Sequence, residues 1–159
     1  MPLLQLSPPD QVDLTWRIDA PVDRVWACLT RSDLLPQWLG RLTDGRVAAG
    51  AQFVIDHGEG HLCRSTTTGY VEAKSIAFTW AFPREPQSAV SIALEAGSAG
   101  TELRLMHDAL GPLTSSYRDG WCVHLSYLEA AALGTPLPPT LFWSLHGTIE
   151  RLNAPRPVG

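Results

Sequence analysis

Gly120-Trp121-Cys122-Val123-His124-Leu125-Ser126-Tyr127-Leu128-Glu129 decides the fold. Trp121, Leu125, Leu128 and then Ala132 recur at spacings of three and four, the stripe of a helix with one buried face. Thr114-Ser115-Ser116 upstream offers candidate caps, and Gly134 suits the position just past the helix, with Pro136 beyond it. A helix of about 18 residues is roughly 27 Å long, enough to cross most of a sheet.

Working back towards the N-terminus, the chain reads as strand after strand. The runs 51–57, 61–72, 75–82, 88–96 and 101–109 are separated by Gly58-Glu59-Gly60, Pro83-Arg84-Glu85-Pro86-Gln87 and Gly97-Ser98-Ala99-Gly100. Such short, turn-rich links favour antiparallel neighbours. Ile76, Phe78, Trp80 and Phe82 alternate with Ala77, Thr79 and Ala81, and Leu103, Leu105 and His107 alternate with Glu102, Arg104 and Met106. A slip of one residue would expose each of these sets at once, so the register is strongly specified. Before these runs, Val12, Leu14, Trp16 and Ile18 alternate with polar residues as a further strand. Pro21 suits the first position of a short helix carrying Val22, Val25, Trp26 and Leu29 on one face, and a second short turn leads to Trp38. The expectation is an α+β domain: a curved antiparallel sheet of about six strands around one long C-terminal helix, with two short helices after the first strand. Residues 1–134 make the domain, 1–10 being a loose, Pro-rich N-terminus.

Residues 135–159 follow as a Pro-rich link and a short amphipathic helix. Leu141, Leu145, Ile149 and Leu152 lie at helical spacing with Phe142 beside them. A segment so short is not stable alone, so its apolar stripe packs on the domain, lies over a pocket mouth or meets a partner.

Composition narrows the function. A net charge of −4, with basic residues scattered singly, argues against sequence-independent nucleic-acid binding. No apolar run approaches the roughly 20 residues that span a bilayer, so no membrane insertion is expected. The N-terminus lacks the basic leader of a signal peptide. Cys28, Cys63 and Cys122 form no CxxC and read as reduced thiols in a cytoplasmic protein.

Three motifs in order resemble the SRPBCC, or START-like, superfamily with its helix-grip fold, and more narrowly its branch named after the activator of heat-shock protein 90 ATPase. They are Ala20-Pro21-x-x-x-Val25-Trp26-x-x-Leu29-Thr30 running on to Trp38, Gly100-Thr101-Glu102-Leu103-Arg104-Leu105-Met106-His107, and Gly120-Trp121-x-x-x-Leu125-x-x-Leu128. The resemblance implies a pocket between the sheet and the long helix. It does not imply one activity, because relatives bind lipids, hormones or polyketides, catalyse cyclisation or dehydration, or partner chaperones. The segment after Gly134 departs from small members, which finish with the long helix.

His57-Gly58-Glu59-Gly60-His61 holds two imidazoles and a carboxylate, but it reads as a hairpin tip without the helical HExxH spacing or a fourth ligand. No metal and no cofactor is expected. His107 continues a buried strand phase, where an imidazole can orient a ligand or act as a base, or simply be a core histidine bonded to backbone. His124 flanks the helix stripe, at the pocket or on an exposed helix edge. Trp38 is expected to border the pocket mouth, with Phe78, Trp80, Trp121 and Leu125 as apolar walls. Neither GxSxG nor a Gly-rich phosphate loop occurs. The function these residues suggest is binding of a small, largely apolar molecule. The alternatives are a protein-interaction module, with a homodimer or chaperone partner, and a polyketide cyclase or dehydratase-like enzyme.

Overall fold

The computed structural model describes residues 2–4 and 10–155. The strands are β1 (Pro2–Leu4), β2 (Val12–Ile18), β3 (Arg41–Gly45), β4 (Gln52–Asp56), β5 (Leu62–Val71), β6 (Ser75–Trp80), β7 (Ser88–Gly97) and β8 (Gly100–Asp108). The helices are α1 (Val22–Thr30), α2 (Thr114–Ala132) and α3 (Phe142–Asn153), and a 3-10 turn spans Leu35–Gln37. All pairings are antiparallel, in the order β1-β2-β8-β7-β6-β5-β4-β3. The α+β architecture with a long helix against a curved sheet is as the sequence predicts, with eight strands among the described residues rather than about six.

The two extra strands are the sheet's edges. β1 pairs Pro2 with Trp16 and Leu4 with Leu14, which corrects the expectation of a loose start; the rest of that expectation, residues 5–9, lies outside the described residues. β3 lacks an apolar alternation and is mostly exposed, so its composition reads as loop. Pairing with β4 makes it a strand, with a bulge between Leu42 and Asp44. A second irregularity, between Thr67 and Gly69 of β5, contributes to the bend of the sheet.

The core is the concave face of the sheet with one side of α2. Ile76, Phe78, Trp80, Val90, Ile92, Leu103 and Leu105 are buried there beneath Trp121, Leu125 and Leu128. Trp16 Nε1 on β2 donates to Glu129 Oε2 on α2 at 2.7 Å, fixing the far end of the helix. α2 ends as its glycine predicts: Gly134 has φ +81°, its N–H bonds Ala131 and that of Thr135 bonds Ala130, the two bonds of a Schellman motif. At the other end Thr114 Oγ1 donates to the Gly111 carbonyl instead of capping α2, and no side chain caps the helix. Pro21 lies one position before α1, its carbonyl accepting from the N–H groups of Arg24 and Val25.

α3 packs along α2. Asn153 Nδ2 donates to Asp119 Oδ1 and Tyr127 Oη donates to the Pro138 carbonyl, each at 2.7 Å. Gly120 faces α3, where a Cβ would lie 4.0 Å from His146 Nε2, an ordinary van der Waals contact. No α3 residue is fully buried; Phe142, Leu145 and Ile149 are half-buried, while Trp143 is 72% and Leu152 78% exposed. Among the described residues, no helix is long and apolar enough to cross a membrane. The three cysteines are free.

Candidate functional site

The sheet–helix interior is not uniformly apolar. β5 alternates with its neighbours but turns small polar groups inward: Cys63, Ser65 and Thr67 are all buried. Burial raises the Cys63 thiol to about 12, so it stays protonated. Thr67 Oγ1 is buried without a hydrogen-bond partner, opposite Phe78 in the β5–β6 register. Nearby side chains fill most of the interior. A cavity of about 10 Å³ remains, lined among others by Leu29, Leu35, Trp38, Phe53 and Phe78, about the space of one water at most. The modest pocket expected between sheet and helix is therefore closed in this structure.

Trp38, expected at a mouth, is only 3% exposed and lines this cavity, its Nε1 donating to the Cys28 carbonyl at 2.7 Å. Phe78 lines it too, whereas Leu125 is fully buried in the core. Trp80, His107, Trp121 and His124 belong to a second cluster, built of aromatic rings and histidines, at the middle of α2.

His107 is completely buried with both ring nitrogens engaged. Trp121 Nε1 donates to its Nδ1 at 2.9 Å, which assigns the ring proton to Nε2, 2.7 Å from Ser88 Oγ. Ser88 in turn donates to the Trp80 carbonyl at 3.4 Å. Burial lowers the His107 pKa to about 4, so the ring is neutral near pH 7. In this arrangement its basic lone pair is already taken. It ties the sheet to α2.

A chain of side chains leads from the cluster to the surface. Trp80 Nε1 donates to Tyr117 Oη at 3.0 Å, and Tyr117 donates to Glu85 Oε2 in the β6–β7 loop. Burial, helped by the Glu85 carboxylate, raises the Tyr117 phenol above its ordinary range. Tyr117 also packs on His107, their rings 4.8 Å apart.

His57 and His61, adjacent in the sequence string, part company. His61 is exposed at the hairpin tip, which Asp56 organises by accepting from the N–H groups of Gly58 and Gly60. His57 turns inward, its ring 5.2 Å from Trp80, 5.3 Å from Phe82 and 5.8 Å from His124. Its Nε2 is buried and has no partner. Burial first, and then neighbouring His124, lower its pKa to about 3 against the opposing pull of Asp56. His124 donates from Nδ1 to the Trp38 carbonyl at 2.8 Å; burial lowers its pKa to about 4 although that carbonyl favours the charged form. Phe142 of α3 covers His124 at 4.8 Å. Among the described residues, no three His, Cys, Asp or Glu side chains are grouped to hold a metal ion.

His57, Thr67, Tyr117 and Glu85 are absent from the residues singled out by sequence for the pocket. A usable signal existed for Thr67 alone, in the small polar residues at every second position of β5.

A family model described as activator of Hsp90 ATPase homolog 1-like protein matches residues 19–132. No curated protein matches the chain. Among solved structures, CalU16 from Micromonospora echinospora is 22% identical, covers 89% of this chain and 84% of its own, and superposes with a TM-score of 0.74. DynU16, from the dynemicin biosynthetic locus, is 25% identical over 81% of this chain and 49% of its own, with a TM-score of 0.74. The Aha1 dimer from Colwellia psychrerythraea is 20% identical over 77% of this chain and 95% of its own, with a TM-score of 0.65.

Proposed function

We propose a function from one premise: this chain belongs to the activator of Hsp90 ATPase homolog 1-like family. The function is binding of a small, largely apolar molecule between the sheet and α2. The observation that carries it is Thr67 Oγ1, buried and unpaired on the inward strip Cys63–Ser65–Thr67. A buried polar atom without a partner costs about 1–3 kcal/mol, and a ligand hydroxyl or carbonyl would pair it. Small side chains on that strip, beside Phe78 and Trp80 of the neighbouring strand, give space once the aromatic rings shift. Trp38, Phe78, Trp80, Trp121 and Leu125 then form apolar walls, and His124 a polar point. His107 holds the wall together rather than contacting the ligand through a free nitrogen. Three free thiols accord with a cytoplasmic setting.

The test is native mass spectrometry of the protein purified from its own host, repeated with Thr67→Leu. A released apolar compound present on the wild type and lost from the variant supports the reading. If the compound persists in the variant, it binds elsewhere. A ligand-free protein that also takes up no apolar probe ends it.

A second reading, contact with a protein partner, is favoured by one observation. Leu133, Leu141, Trp143 and Leu152, four of the five exposed large hydrophobic residues identified among the described ones, lie in or beside the C-terminal segment. The Colwellia relative's being a dimer makes a second copy of this chain the first partner to test. Light scattering on wild type and Trp143→Ser distinguishes a dimer held by that segment from a monomer. A chaperone partner would require the same segment to remain open.

A further inference from the structure

The His57 imidazole has an unusual position. It is on neither α2 nor the central strands, yet its ring packs on Trp80, Phe82 and His124, and its Nε2 is buried without a partner although the residue as a whole is only half-buried. Buried polar atoms are bonded in the large majority of cases, so an orphan nitrogen inside an aromatic cluster calls for an explanation. The hairpin beside it does not explain it, because Asp56 and His61 satisfy the hairpin's own groups through Gly58 and Gly60.

We infer that His57 is the polar anchor of the ligand site and that the ligand it suits is a planar aromatic compound bearing a hydroxyl group. The inference rests on the ligand-binding reading above and specifies the ligand's chemistry. Three features of the cluster lead to it. The rings around His57 and His124 meet edge-on or tilted, at interplanar angles from 52° to 80°, a packing that accepts another flat ring in place of one of its members. One member is weakly held: Phe142 rests on His124 at 4.8 Å and on Tyr127 at 5.6 Å, but belongs to a helix without a fully buried residue. A ligand ring takes the place of Phe142 against His124, one ring removed from His57, and its hydroxyl extends past His124 to the His57 Nε2. A hydroxyl suits His57 in either tautomer, since it accepts from an N–H and donates to a lone pair, whereas a carbonyl does only the first.

The test compares two probes that differ by one group, naphthalene and 2-naphthol, with the full chain. The expected result is that wild type binds 2-naphthol about tenfold more tightly than naphthalene, the worth of one good hydrogen bond. His57→Phe brings the two to equal affinity without weakening naphthalene, and Phe142→Ala tightens both. In nitrogen-15 spectra of the wild-type imidazoles, 2-naphthol moves the His57 Nε2 resonance and naphthalene does not, a readout independent of any variant's folding. Equal affinities for wild type, or a preference that survives His57→Phe, overturn the anchor while leaving an apolar site standing. If neither probe binds wild type or Phe142→Ala, the ligand-binding reading fails and the anchor with it.

Discussion

The indole N–H of Trp121 donates to Nδ1 of His107 at 2.9 Å, joining the middle of α2 to the central strand β8 through two side chains that are almost wholly buried. A helix lying on a sheet usually slides or tilts within the tolerance of its apolar contacts. This bond removes that freedom at one point.

Replacing Trp121 with Phe keeps an aromatic ring and removes the donor. Nδ1 of His107 is then buried and unpaired, which costs about 1–3 kcal/mol, and the smaller ring adds to the loss. The urea midpoint is expected to fall accordingly. An unchanged midpoint would mean that the bond contributes nothing net.

Acid should destabilise the fold through its neutral histidines. The pKa of His107 is about 4 in the folded protein against an ordinary 6.5. Between those values the unfolded chain takes a proton that the folded chain refuses, so this stability is complete above pH 6.5 and falls as pH drops towards 4. For His107 it amounts to about 3 kcal/mol; His57 and His124 act in the same direction. Urea unfolding at pH 7, 6, 5 and 4.5 measures the slope, and His107→Asn should flatten it.

Gly100 starts β8 with φ +143°, and a Cβ there would lie 2.2 Å from the Ile18 carbonyl oxygen. Gly100→Ala must therefore move β8 away from β2 or strain the backbone. The expected cost is about 2–4 kcal/mol. Thermal unfolding followed by circular dichroism gives the answer directly.

Ending the chain at Thr135 removes α3. Because that helix buries no side chain completely, the remainder should fold cooperatively and lose only about 1–2 kcal/mol. His124, uncovered by the loss of Phe142, should titrate nearer its ordinary pKa in a proton NMR titration. A truncated chain that fails to fold would make α3 part of the core.

The main architecture was legible because burial on one face writes itself as period two in strands and as spacings of three and four in helices. Ile76–Phe82, Leu103–His107 and Trp121–Leu128 carry that record. β1 and β3 carried none: the first has three residues, and the second is an exposed edge rich in charge and glycine. The candidate site was harder to read. Hairpin glycines make His57 look like a turn residue, and nothing local tells that its ring turns back onto Trp80. The position of Trp38 after a turn reads as a rim, yet its indole N–H reaches the Cys28 carbonyl inside. Which nitrogen of His107 carries the proton depends on a residue 14 positions away, beyond the reach of any local pattern.

The sheet's two edges protect the protein unequally. The β3 edge is bulged and bears Arg41 and Asp44, features that discourage another chain from adding to it. Among the described residues, the opposite edge is capped by the three residues of β1. Peeling them away uncovers the backbone of β2, whose Val12, Leu14 and Trp16 belong to the core. Aggregation of this protein, or exchange of strands between copies, would begin there, and a proteolytic nick that freed Pro2–Leu4 would hasten it.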